Sequence, residues 1–402
     1  MNILFIVPYV PSQIYVRPYN LIRNLSNRGH QVSLLTLTAN DIDRQMARQL
    51  EGDCLVTEFS LPRWRSLLNA GLTLPGRSPL QASYCWSPAA AKWLDQRLEQ
   101  GLDDIIHVEH LRGVRYGLHA QQTLQRLGKS TPVVWDSVDC ISHLFRQASM
   151  HAHRLTSRVI TSIEVGRTSH YEGQMVLKFP QILVTSPIDQ KALLDLAPKG
   201  SQPKITVLPN GSDLDYFSPD LNIPRKPATL VVSGKMSYHA NEAMTLYLVN
   251  EILPLVWEKR PDVKLWIVGK DPTPEILKLQ ENPNILVTGS VEDIRPYLRR
   301  ATVAVSPILY SAGIQNKVLE AMGCATPVIA SPLAISALKI ELGKEVIVAD
   351  TPLEWQNSIL SLIESPEKQR EIGEGGRQYV EKNHRWTEIV TQLENIYAGI
   401  IP

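Results

Sequence analysis

The segment from Tyr310 to Ser331 reads YSAGIQNKVLEAMGCATPVIAS and places polar side chains at helical spacing behind a turn of small residues. Ala312, Gly313 and Ile314 can bring bare backbone N–H groups to a helix start. The partial positive charge there favours an anion or a sugar hydroxyl. Gln315, Asn316 and Lys317 fall in the first turn, where a cation opposes the helix dipole at a cost of about 0.3–1 kcal/mol unless an anionic ligand offsets it. Glu320 follows Asn316 by one turn and Lys317 by three residues, on the same face. A carboxylate so placed can accept two hydrogen bonds from a vicinal diol such as a ribose. The spacing fits a nucleotide sugar; a solvated helical glutamate and lysine are the plain alternative.

The elements that must carry these residues can be read from hydrophobic patterning. Short apolar runs that suit buried parallel strands begin at Ile3 (ILFIVP), Val32 (VSLLTL), Asp104 (DIIHVE), Pro132 (PVVWDS), Ile182 (ILVTSP) and Ile205 (ITVLPN), with longer helical stretches between them. From Thr229 the alternation restarts with TLVVSG, VKLWIVG, NILVTG, TVAVSP, TPVIAS and EVIVAD. The expectation is two doubly wound α/β domains, residues 1–208 and 209–384, with 385–402 a helix crossing back to the first. The stretch NGSDLDYFSPDLNIPRKPA, rich in Pro, Asp and Asn, reads as a linker. Open α/β sheets bind ligands at the carboxyl ends of their strands, so a cleft shared by the two sheets is the expected site.

Composition narrows the class. A chain of 402 residues exceeds the roughly 250–300 at which single cores stop growing. A net charge of +1 argues against a nucleic-acid binder. Cys54, Cys85, Cys140 and Cys324 have neither metal-ligand spacing nor the density of a disulfide framework, and read as reduced thiols. MNILFIVP is too short for a signal peptide, and no run of about 20 apolar residues would span a bilayer. A cytoplasmic protein, with the inner membrane face as an alternative location, is expected.

The blocks VLPNGSDLDYFSP, GIQNKVLEAMGCATPVIAS and RQYVEKNHRWTEIVTQLENIY together resemble the retaining glycosyltransferases of fold type GT-B, family 4, and YEGQMVLKFPQILVTSPIDQKALL is similar to a subset of them associated with exopolysaccharide and glycoconjugate assembly. The resemblance runs along the whole chain, more strongly in the second half. It implies two Rossmann-like domains facing a central cleft, the first for the acceptor and the second for the donor. Its most specific element is PNGSD followed at the right distance by NKVLEAMGCATPVIAS.

The resemblance assigns roles residue by residue. Glu320 matches the glutamate set against the donor ribose, and Gly313, Ile314, Gln315 and Asn316 fall in the donor-binding turn. In SGKMSYHANEA, Gly234 allows close backbone approach, and Lys235 stands where the family usually has an arginine that stabilises the departing diphosphate. Lys317 is the second cation expected at that charge. Two departures stand out. Asn241, expected with Gly234 among the donor-binding residues, occupies the place of a further basic residue, and Ala312 that of a glutamate near the reacting carbon, so the donor sugar does not carry over.

In the first half, Arg17 stands just before Pro18 at a helix start, and Glu109, His110 and Arg112 follow a strand end. Arg17, Glu109 and Arg112 are expected at the acceptor, His110 in catalysis. Asp139 lies where relatives have a histidine near the donor sugar. Asp136 and Asp139 have no third ligand nearby in sequence, so no metal and no cofactor is expected, the nucleotide sugar being a substrate. From Pro62, PRWRSLLNAGLTLPGR alternates Arg63, Arg65 and Arg77 with Trp64, Leu67, Leu68, Leu72 and Leu74. Contact with an anionic membrane surface and packing on its own domain are the two readings. The implied reaction moves a sugar from a UDP- or GDP-linked donor to a glycan or lipid-linked acceptor with retention. A UDP-amino-sugar epimerase and a non-catalytic partner subunit are the alternatives.

Overall fold

The computed structural model describes all residues except 13–14, 151–154, 221, 311–312 and 402, together with the side chains of 148, 150 and 155–162. The chain divides into two compact units. Unit 1 is Met1–Pro209 with Trp386–Pro402, and unit 2 is Asn210–Arg385.

Unit 1 is built on a seven-stranded parallel sheet of β1 (Asn2–Val7), β2 (Gln31–Thr38), β3 (Leu55–Ser60), β4 (Ile105–Glu109), β5 (Val133–Val138), β6 (Gln181–Val184) and β7 (Ile205–Val207). The order is β3-β2-β1-β4-β5-β6-β7. Unit 2 holds β8 (Thr229–Ser233), β9 (Lys264–Val268), β10 (Ile285–Val287), β11 (Val303–Ser306), β12 (Val328–Ala330) and β13 (Ile347–Val348), in the order β10-β9-β8-β11-β12-β13. All ladders are parallel, so helical crossovers must cover the sheet faces, and the central strands can be apolar throughout. Ile3 through Val7 are completely buried on that account. Strand order reverses between β1 and β4 in unit 1 and between β8 and β11 in unit 2, which makes those two carboxyl ends the expected ligand sites.

Two elements differ from the sequence reading. The strand β3 is absent from the apolar runs because Thr57 and Glu58 interrupt its apolar residues; it lies at a sheet edge, paired only with β2, and none of its residues is fully buried. The stretch read as a linker contains no regular helix or strand, yet it is packed: Leu214 is buried in the unit 2 core, and Arg377 Nη1 donates to the carbonyls of Phe217 (2.7 Å) and Gly323 (2.6 Å).

The helix Trp386–Ala398 belongs to the unit 1 core, where Trp386, Ile389, Val390 and Leu393 pack with Leu21, Ile22 and Leu25 of the helix Val16–Asn27. At its rim Glu394 receives Arg28 Nη1 at 2.5 Å and meets His30 Nε2 at 2.8 Å. The helix Arg63–Thr73, by contrast, buries only Ser66. Trp64, Leu67, Leu68, Leu72 and Leu74 are 54–75% exposed, so packing of that face on its own domain is set aside. No described helix is long and apolar enough to cross a membrane.

Candidate functional site

In unit 2 the carboxyl end of β8 runs into Gly234, whose φ of +144° suits glycine alone. A Cβ there would lie 2.7 Å from Asn241 Nδ2, and one on Gly269, after β9, would lie 1.8 Å from the Gly234 carbonyl oxygen. Two adjacent strand ends are thus closed by backbone packed on backbone. The loop is pinned further by Gly234 N–H to Val268 O (3.1 Å) and Met236 N–H to Lys270 O (2.9 Å).

Asn241, on the helix His239–Tyr247, was expected among the donor ligands, but both ends of its amide are used inside the protein. Nδ2 donates to Lys235 O at 2.9 Å, and Oδ1 accepts from Lys317 Nζ. Lys317 lies in the first turn of the helix Asn316–Gly323, which follows β11; the Gln315 side chain makes no cap hydrogen bond to it, and Gly313 turns into it with φ +64°. Asn316 Oδ1 accepts from Asn210 Nδ2 at 3.3 Å. Ile314 is buried in the unit 2 core, leaving only its backbone for a ligand. Ala312 lies outside the described residues.

Burial sets the electrostatics here. It lowers the Lys317 ammonium to about 8, against the charge of Glu320, and raises the Glu320 carboxyl to about 7, against the charge of Lys317. Among the described residues the Glu320 carboxylate has no hydrogen bond or ion pair, which leaves its acceptor sites open. Lys235 is about half exposed, and among the described residues its ammonium pairs only with Asp271, at 3.8 Å. Beside them His239 Nδ1 meets Tyr310 OH at 2.9 Å, the two rings stacked within 11° of parallel. Sequence reasoning missed this pair because 71 positions separate the partners; an aromatic at the end of a switch-point strand was the available signal.

Unit 1 gathers a second cluster at β1 and β4. Tyr9 OH donates to Glu109 Oε1 at 2.8 Å, and Glu109 Oε2 is buried with no hydrogen-bond partner among the described residues. Burial, then the Asp136 charge, raises the Glu109 carboxyl to about 8. That shift favours the protonated acid, and the unpartnered Oε2 is the oxygen free to carry the proton. His110 adopts φ +63°, and its Nδ1 accepts the Arg112 N–H at 3.2 Å. Burial, then Arg112, lowers its ring to about 3, so it is neutral with the proton on Nε2. Val138, at the end of β5, also has positive φ (+68°), a strained conformation for a β-branched residue.

Two expected ligands are engaged elsewhere. Arg17 is 3% exposed; Nε pairs with Asp136 Oδ2 at 2.7 Å and Nη1 donates to Leu208 O at 2.9 Å. It is a buried strut rather than a reaching side chain. Burial works to raise Asp136, but the charges and hydrogen bonds of Arg17 and His107 together outweigh it, holding the carboxyl below its ordinary value. His107 Nε2 lies 3.3 Å from the same Asp136 oxygen, and its Nδ1 meets Tyr397 OH at 2.7 Å. Asp139 accepts from Thr185 Oγ1 at 3.1 Å, and burial together with Asp189 raises it to about 7. Among the described residues no group of three His, Cys, Asp or Glu side chains could hold a metal ion.

Comparison with known proteins bears on unit 2 first. Residues 227–365 match the family model Glycosyl transferases group 1. A D-inositol 3-phosphate glycosyltransferase of Segniliparus rotundus is 23% identical over 228 residues, 51% of this chain and 49% of that protein. An MMP alpha-(1->4)-mannosyltransferase of Mycolicibacterium hassiacum is 25% identical over 243 residues, 57% of this chain and 56% of that one. The chain thus spans about half the length of these curated relatives. Among solved structures, HepE of Anabaena in complex with UDP and glucose superposes with a TM-score of 0.69 at 14% identity, over 99% of this chain and all of that one. Sucrose-phosphate synthase from Thermosynechococcus elongatus gives 0.68 at 19%, over 100% and 99%. The fold is GT-B.

Proposed function

We propose that this chain is a glycosyltransferase that moves a sugar, with retention, from a nucleoside-diphosphate sugar to a hydroxyl of a glycan, glycolipid or lipid-linked acceptor. The observation that carries the proposal is the pairing of Lys317 and Glu320, one cation and one open carboxylate, on the helix that starts at the unit 2 switch point. In this reading Glu320 accepts from the ribose diol, and the N–H groups from Gly313 onward, with Gln315 and Asn316, orient the sugar. Lys235 and Lys317 take up charge on the departing diphosphate. No step calls for a metal or a cofactor.

Retention without a protein nucleophile fits a reaction in which the leaving phosphate deprotonates the acceptor on the same face. The chain then supplies positioning and preorganised charge. Glu109, His110 and Arg112 are the acceptor side of this proposal, with Arg17 holding Asp136 and Thr185 holding Asp139 behind them. The relatives support sugar transfer; the donor base, sugar and acceptor are open. We place the protein on the cytoplasmic side, where the exposed helix Arg63–Thr73 meets anionic lipid.

The test is a thermal-shift panel of UDP-, GDP- and ADP-sugars followed by a nucleotide-release assay with and without chelator. A ligand at about 100 times its Kd should add roughly 2.7 kcal/mol of stability. A chain that responds to none of the three is not a nucleotide-sugar enzyme. Binding without turnover favours the partner-subunit alternative. Activity abolished by chelator and restored by magnesium or manganese defeats the metal-free scheme.

A further inference from the structure

The place where the family resemblance expects a basic residue is filled by Asn241, and the surroundings of that amide give it a role of its own. It is 7% exposed, and its orientation is fixed by two neighbours of opposite demand: the Lys235 carbonyl, which needs a donor, and the Lys317 ammonium, which needs an acceptor. A flipped amide would face oxygen with oxygen and NH2 with ammonium, both repulsive. The main chain is held too, Asn241 N–H donating to Tyr238 O at 2.8 Å and Thr245 Oγ1 donating to Asn241 O at 2.8 Å. Gly234 leaves the space in which the amide sits, since a Cβ there would meet Nδ2 at 2.7 Å.

Lys317 has no carboxylate within ion-pair distance among the described residues. Its ammonium has three donors, one of them directed at a neutral oxygen. An aspartate at 241 would cancel its charge and leave the Lys235 carbonyl facing an oxygen; a lysine would push it away. We infer that Asn241 is a positioning residue, a neutral tether that fixes the Lys317 ammonium beside the Gly234–Lys235 loop while leaving its charge for the diphosphate of a nucleotide ligand. The inference rests on the nucleotide-sugar reading above. It accounts for the missing basic residue as an exchange, a second cation given up for the fixed placement of the one on the next helix.

The experiment compares wild type, Asn241→Asp and Asn241→Ala by calorimetric titration with UDP, GDP and ADP, and by competition with the corresponding nucleosides. Melting curves verify that each variant is folded. Asn241→Asp is nearly isosteric and should lower affinity for the preferred diphosphate on the order of tenfold to a hundredfold, the range for a hydrogen bond to a charged group. Nucleoside affinity should be unchanged. Asn241→Ala, which frees the ammonium without neutralising it, should show a smaller loss with the same selectivity, and it answers the question if the aspartate variant does not fold. In a Lys317→Met background Asn241→Asp should cost little more. Wild-type diphosphate affinity in Asn241→Asp, equal losses for nucleoside and diphosphate, or an undiminished loss in the Lys317→Met background would each overturn the inference while leaving the nucleotide reading standing. A wild-type chain that binds none of the three diphosphates overturns that reading and this inference with it.

Discussion

Lys317 and Glu320 are most informative as a pair, because burial shifts them toward each other from opposite ends of the pH scale. Diphosphate binding needs the ammonium charged, below about 8, and ribose binding is strongest with the carboxylate ionised, above about 7. Nucleotide affinity should therefore follow a bell with its maximum between those values, the two limbs belonging to the coupled pair. A flat profile from pH 5 to 10 would remove both residues from the ligand. Glu320→Ala should lose affinity on the order of tenfold to a hundredfold with little change in melting temperature. Glu109 is a sharper test of stability. The folded state holds a proton that the unfolded chain releases above 4.5, so this group's contribution falls as pH rises from there to about 8. Glu109→Gln removes that slope. Its stability relative to wild type should rise through the window at up to about 1.4 kcal/mol per pH unit, read from urea unfolding at several pH values. A constant difference would mean that the carboxyl is ionised throughout.

Among the elements, the helix Arg63–Thr73 has the clearest unused surface. Its exposed apolar residues lie in a stretch, from Phe59 to Leu94, that contains no Asp or Glu and carries Arg63, Arg65, Arg77 and Lys92. Vesicles containing anionic lipid should bind the protein reversibly. Salt should weaken the binding, since exposed charges are screened over about 8 Å at physiological ionic strength. Replacing Arg63, Trp64 and Arg65 together should abolish it without affecting nucleotide binding; wild type that ignores such vesicles points to a soluble acceptor. The same scale explains what was legible in the sequence. Continuous apolar runs coincide with twelve of the thirteen strands, the partly exposed edge strands β7, β10 and β13 among them. Only β3 left no such mark, because Thr57 and Glu58 interrupt its apolar residues. The Lys317–Glu320 spacing could be read because helical neighbours are close in sequence. The Asn241–Lys317 contact spans 76 positions, and Arg17–Asp136 spans 119; nothing local announces either.

At the scale of the molecule, unit 2 is one unbroken stretch and unit 1 is completed by a segment from beyond it. A chain ending at Arg385 would lose Trp386, Ile389, Val390 and Leu393 from the unit 1 core and the Tyr397 contact to His107. Such a truncation should destabilise unit 1 by several kcal/mol, since removing even one large core side chain typically costs about 2–5. Residues 210–385 alone should remain folded. Calorimetry of both fragments tests this: two cooperative transitions in the full chain, and in the truncation the loss or marked lowering of the one that residues 210–385 alone do not show. An unchanged unit 1 transition would show that the helix is an accessory.

That borrowed helix also imposes a timetable on synthesis. On a ribosome adding roughly 5–20 residues per second, tens of seconds separate the appearance of Pro209 from that of Trp386. Through that interval the first unit to be made waits with the surface of Leu21, Ile22 and Leu25 uncovered, while the second is completed without any segment from beyond itself. The half made first is the half that finishes last. A chaperone bound to the nascent chain has one predictable place to hold.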